Sequence, residues 1–108
     1  MSFKIKISTE KNYTFVSLWG EIVSEDATKV SKKLTKLSKK DIETIVIDLN
    51  GISYIDSYGL GIFVYFWKLF GDLGINFLFL KPDGFMRDLL ENSRLTEVFS
   101  FIDDLEDL

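Results

Sequence analysis

Apolar and polar residues alternate where the chain begins. Ile5 and Ile7, then Tyr13, Phe15, Ser17 and Trp19, predict two short strands joined by the polar turn Glu10-Lys11-Asn12, with Gly20 following the second. The period then changes. Ala27, Val30, Leu34 and Leu37 recur at helical spacing, with Ser24 as N-cap and Glu25 and Asp26 in a first turn where negative charge suits the helix dipole. Lys29, Lys32, Lys33, Lys36, Lys39 and Lys40 fill much of the other side, which reads as the solvated face of an amphipathic surface helix.

Thr44 to Leu49 is a β-branched run without clean alternation, as expected of a central strand buried on both faces. Asn50-Gly51 is a turn signal. After Ile52-Ser53-Tyr54-Ile55 a helical stretch begins near Ser57 and reaches about Phe70, and Gly71 and Gly74 bracket a break. Asn76 to Leu80 predicts a strand ending at Lys81-Pro82-Asp83-Gly84. Phe85 to Asn92 predicts a short helix with Phe85, Leu89, Met86 and Leu90 turned inward. Val98 to Ile102 predicts a last strand, and Asp103 to Leu108 a frayed acidic helical end. The order β-β-α-β-α-β-α-β-α gives one α/β domain over residues 1–108, a mixed sheet with interleaved helices. Right-handed crossovers make the strands they connect parallel.

Composition narrows the function. Ten Phe and two Trp in 108 residues supply a core without staples. The chain has no cysteine, which removes disulfides and thiolate chemistry, and no histidine, which removes the commonest general base, the commonest metal ligand and any phosphohistidine relay. Carboxylate or lysine chemistry stays open. A net charge of −4 argues against non-specific nucleic-acid binding. Lys4 and Lys6 interrupt any leader-like N-terminus, and the apolar segment Leu60 to Phe70 is about half the length a membrane span needs. The expectation is a cytoplasmic domain with no cofactor, no nucleic-acid partner and no membrane insertion.

Asp56-Ser57 carries the candidate chemistry. A buried strand leads through a short loop to these two residues and then directly into a helix, placing a serine hydroxyl beside unpaired backbone N–H groups. Phosphorylating Ser57 would add about −1.5 to −2 charges and three acceptor oxygens, which the helix tolerates and a partner packed over it would not. The plainer reading is that Asp56 or Ser57 only caps the helix.

The segment from Ile47 to Gly61, ending in Asp56-Ser57-Tyr58-Gly59-Leu60-Gly61, resembles the signature of STAS domains of the anti-sigma-factor-antagonist class. Trp19-Gly20-Glu21-Ile22 resembles that family's element after the second strand, and Leu95-Thr96-Glu97-Val98-Phe99 its element before the last strand. The resemblance implies a regulatory binding protein and not an enzyme. It places the phosphoacceptor at Ser57, the partners being an anti-sigma factor that is also an ATP-dependent serine kinase and a metal-dependent serine phosphatase. Unphosphorylated antagonist binds the anti-sigma factor and frees the sigma factor. Glu21, Asp56, Ser57, Tyr58 and Gly59 then belong to the partner-binding surface. Tyr58 stands where relatives usually carry a small residue, and Val23 where many carry an aspartate.

The following helix is unusually apolar, Lys68 being its only charge between Ser57 and Phe70. Leu60, Phe63, Val64 and Trp67 share one stripe and are expected against the sheet. Tyr58, Ile62, Tyr65 and Leu69, with Phe66 at the flank, fall on the opposite stripe and extend the partner-binding surface. An apolar stripe serves a homodimer as well as a heterodimer. A constitutive docking subunit, of a lipid-transport or stressosome-like complex, is the alternative. A small-molecule-binding or catalytic α/β domain using Ser57 and a carboxylate pair of Asp48 and Asp56 near the strand's C-terminal end is a third class, although no phosphate-binding glycine loop supports it.

Overall fold

The computed structural model describes residues 3–108, so Met1 and Ser2 of the N-terminal segment lie outside it. Its five-stranded sheet is ordered as the strands occur in the chain: β1 (Phe3–Thr9), β2 (Thr14–Ile22), β3 (Thr44–Ile55), β4 (Asn76–Leu80) and β5 (Ser100–Ile102). β1 and β2 form an antiparallel hairpin, and β2 to β5 are parallel. The parallel connections are α1 (Glu25–Leu37), α2 (Ser57–Asp72) and α3 (Gly84–Asn92).

Each connection moves one strand further in the same direction. Right-handed crossovers then put every helix on the same face. Burial agrees, because Val30 and Leu34 of α1, Phe63, Phe66 and Phe70 of α2, and Met86 and Leu90 of α3 join one core. The sheet contributes Val16, Leu18, Ile45, Ile47, Leu49, Phe77 and Phe79 to it. Aromatic rings thread this core: Phe70 stacks on Phe77 at 5.3 Å, and Phe79 on Phe99 at 4.4 Å.

The mixed α/β sheet and the four buried positions of α1 are as expected. Several local readings are corrected. Asn50-Gly51 makes no turn, because β3 runs through it to Ile55. β2 likewise continues past Gly20 to Ile22. Ser24 stands at the N-cap of α1, but its side chain accepts no capping hydrogen bond. Phe85 is exposed; Met86 and Leu90 are the buried residues of α3, and Leu89 is half-buried. Val98 and Phe99 close a 3-10 turn at Leu95–Glu97, both N–H groups bonding the Leu95 carbonyl, so β5 starts only at Ser100. In place of a terminal helix there is one short turn, Leu105–Asp107, capped reciprocally by Asp104 and Asp107.

Candidate functional site

β3 changes character halfway along. From Ile45 to Ile47 it pairs with both β2 and β4, and these residues and Thr44 are buried. Beyond Asp48 two extra residues enter: Leu49 and Asn50 oppose Leu18 alone, and Ser53 lies unmatched between Ile52 and Tyr54. The bulged half pairs with β2 only. Asp48 Oδ1 accepts the Asn50 N–H (2.9 Å) and fixes the first bulge. The Asn50 amide spans the opening toward β4, accepting the Asp83 N–H at 2.8 Å and donating to the Lys81 carbonyl at 3.2 Å. Gly51 is required here, since a Cβ would meet the Leu18 carbonyl at 2.7 Å and the Trp19 indole lying over it.

That bulged half delivers Asp56 and Ser57 to the start of α2. Asp56 is the N-cap; its Oδ1 accepts the Gly59 N–H at 2.8 Å, and its carbonyl accepts the Leu60 N–H at 3.0 Å. The other oxygen, Oδ2, accepts the Ser24 N–H at 3.4 Å, and the Asp56 N–H donates to the Ile22 carbonyl at 3.3 Å. One carboxylate thus ties α2 to the β2–α1 corner. Ser24 holds φ 43°, a strained value for a residue with a side chain, at that corner. Gly59 permits the close approach: a Cβ there would lie 2.8 Å from Ile55 Cγ1 and 3.1 Å from the Ile22 carbonyl.

Ser57 is the first residue of α2, exposed, and its hydroxyl has no hydrogen-bond partner among the described residues. Because Asp56 takes the capping role, Ser57 is free of it. The Ser57 and Tyr58 N–H groups have no acceptor among the described residues either, and they point the positive end of the helix outward.

Around Ser57 the surface is aromatic and acidic. Glu21 is exposed and lies beside Tyr54 in the β2–β3 register. Tyr54 and Tyr58 are exposed; Trp19, also exposed, stands further back, opposite Gly51. The expected α2 stripe is only partly on this surface. Tyr58 and Tyr65 are exposed, Ile62 and Leu69 are half-buried, and Phe66 is fully buried, because α1 packs along the flank of α2. Leu60, Val64 and Trp67 are half-buried, and Phe63 is in the core. Sequence reasoning missed Tyr54, which the parallel register sets beside Glu21, and the Ser24 N–H, which reaches Asp56. A glycine inside a strand pattern, at Gly51, was the available signal. Asp48 and Asp56 do not form a pair: the seven strand residues between them hold them roughly 20 Å or more apart. No cluster that would hold a metal ion occurs among the described residues, and no helix there is long and apolar enough to cross a membrane.

The anti-sigma-B factor antagonist of Staphylococcus aureus is 30% identical to this chain over 64 residues, which cover 59% of each protein. The chain thus spans less than two thirds of that relative. An anti-sigma factor antagonist from Mycobacterium paratuberculosis superimposes with a TM-score of 0.86 at 21% identity, over 98% of this chain and 90% of that one. The Bacillus cell fate determinant SpoIIAA, in its phosphorylated form, superimposes with a TM-score of 0.74 at 17% identity, over 96% of each chain. Residues 4–108 match the family profile of the STAS domain, and the chain belongs to that family.

Proposed function

We propose that the protein is an anti-sigma factor antagonist, a binding switch thrown by phosphorylation of Ser57. The observation that carries this reading is the division of labour at the start of α2: Asp56 caps the helix, and the Ser57 hydroxyl is left exposed without a partner. In the unphosphorylated state Ser57, Asp56, Tyr58, Gly59 and the neighbouring Glu21 form the surface that sequesters an anti-sigma factor serine kinase. Tyr65, with Ile62 and Leu69 beneath it, extends that surface along α2. The kinase positions ATP so that Ser57 Oγ attacks its γ-phosphorus. The bond to ADP breaks, and the serine proton passes to a base of the kinase. A serine phosphatase reverses the state by hydrolysis, releasing inorganic phosphate.

The energetics favour a switch at this position. A phosphate on Ser57 is compatible with the fold, because unpaired N–H groups and the helix dipole lie beside it. It is incompatible with a tightly packed partner, which would have to bury about −1.5 to −2 charges. SpoIIAA, which shares the fold, has been solved in a phosphorylated form. Tyr58, exposed next to Ser57, supports a second reading, a constitutive docking subunit that is never phosphorylated.

A lysate pull-down with wild type and Ser57→Asp as parallel baits separates the two. The switch predicts that wild type captures a serine kinase of the anti-sigma type and that Ser57→Asp loses it. Capture of the same proteins by both baits would leave the docking subunit as the better account.

A further inference from the structure

The exposed stripe of α2 has features that an isolated monomer does not explain. Tyr58, Gly61, Tyr65, Lys68 and Asp72 follow one another at steps of three and four residues, the spacing of a helix seam, and all are exposed. Tyr58 and Tyr65 leave 57% and 60% of their surface in water. Gly61 occupies a helix interior, where glycine is disfavoured relative to alanine, yet a Cβ there would meet nothing within 4 Å. Asp72 closes the helix at its C-terminus, where the dipole disfavours negative charge. Its own partner is Lys68 at 3.8 Å, a pair whose side chains are 74% and 69% exposed and which therefore holds little.

We propose that this stripe is the seam of a homodimer, with α2 antiparallel to α2 of a second copy about a two-fold axis at Tyr65. Each oddity then finds its use. With Tyr65 on the axis, Gly61 faces the second copy's Leu69, and the missing side chain becomes the hole that Leu69 fills. Ile62 faces the second copy's Lys68, whose methylene stem covers it. Asp72 reaches Tyr58 and the N-terminus of the second copy's α2, where its charge suits the dipole and the tyrosine hydroxyl can donate to it. Every contact is made twice, as two-fold symmetry requires. The occupant is a second copy because the stripe, with half-buried Leu69 at its edge, carries both halves of this complementarity: hole and knob, helix N-terminus and carboxylate. One consequence rests on the switch proposed above. A phosphate on Ser57 would face the second copy's Asp72, so phosphorylation would oppose dimerisation.

Sedimentation equilibrium of the full chain tests the dimer itself. Wild type should pass reversibly from monomer to dimer on concentration into the millimolar range. Gly61→Gln should fold with an unchanged or higher Tm and associate about tenfold more weakly, or worse. Asp72→Lys should also associate more weakly while the monomer gains stability, since a cation suits a helix C-terminus. The register is tested by single thiols in a chain that has no cysteine. Under mild oxidation Tyr65→Cys should link two copies at the axis, whereas the two thiols of Tyr58→Cys would lie about 20 Å apart and stay free. A wild type that stays monomeric, a Gly61→Gln dimer as tight as wild type, or equal crosslinking at both positions would overturn the proposal. None of these outcomes depends on Ser57 being phosphorylated.

Discussion

The first half of β3, Thr44 to Ile47, is buried at every residue and from Ile45 on is paired on both sides, whereas the second half, Gly51 to Ile55, is bulged, paired with β2 alone and exposed at every residue except Ile52 and Ile55. The first half is fixed by the hydrophobic effect, which is non-directional and shared among many neighbours. Directional contacts fix the second half: the Asp48–Asn50 bond, the Asn50 clamp on the β4–α3 loop, the glycine under Trp19 and the Asp56 cap. One half builds the domain and the other aims a serine. The division also explains why a strand twelve residues long can end in a site without weakening the core.

Substitutions in the two halves should therefore differ in size and in reach. Ile47→Ala, in the fully buried half, should destabilise the whole domain by about 2–5 kcal/mol, read as a lower urea midpoint. A cost below about 1 kcal/mol would mean that this half is not the core of the sheet. Asp56→Ala should cost about 1 kcal/mol, the usual loss of a helix cap. Its effect should be local, with faster amide exchange at Ser24, Gly59 and Leu60 and little change in β4. If exchange rises equally throughout, the carboxylate supports the fold and not the site alone. Ser57→Ala should change stability by less than about 0.5 kcal/mol, because the hydroxyl has no partner to lose among the described residues.

The same division governs what the sequence reveals. The β-branched run Thr44 to Leu49 and the Ala27-Val30-Leu34-Leu37 stripe are readable because burial imposes a period on them. The bulges are not, because they depend on register with β2; Asn50-Gly51, a turn by its chemistry, is pulled into a strand by its neighbours. Ser57 was legible as a serine beside an aspartate at a strand–helix junction, with either residue able to cap the helix. Its accessibility was not, because that depends on the capping role falling to Asp56. The outward stripe of α2 was misjudged at Phe66, since α1 covers a flank that a helix lying alone on a sheet would expose. In α3 the inward reading holds for Met86 and Leu90 and fails for Phe85, because one helix face cannot turn two successive residues into the core.

The central claim is that Ser57, and no other serine, receives the phosphate. The direct measurement is phosphosite mapping by mass spectrometry on wild type and Ser57→Ala after incubation with ATP and cell extract. The account predicts phosphate on the peptide bearing Ser57 in wild type and none on the same peptide in Ser57→Ala. Phosphate on Ser53 in both proteins, or a wild type that binds the captured kinase yet is never modified, would contradict it.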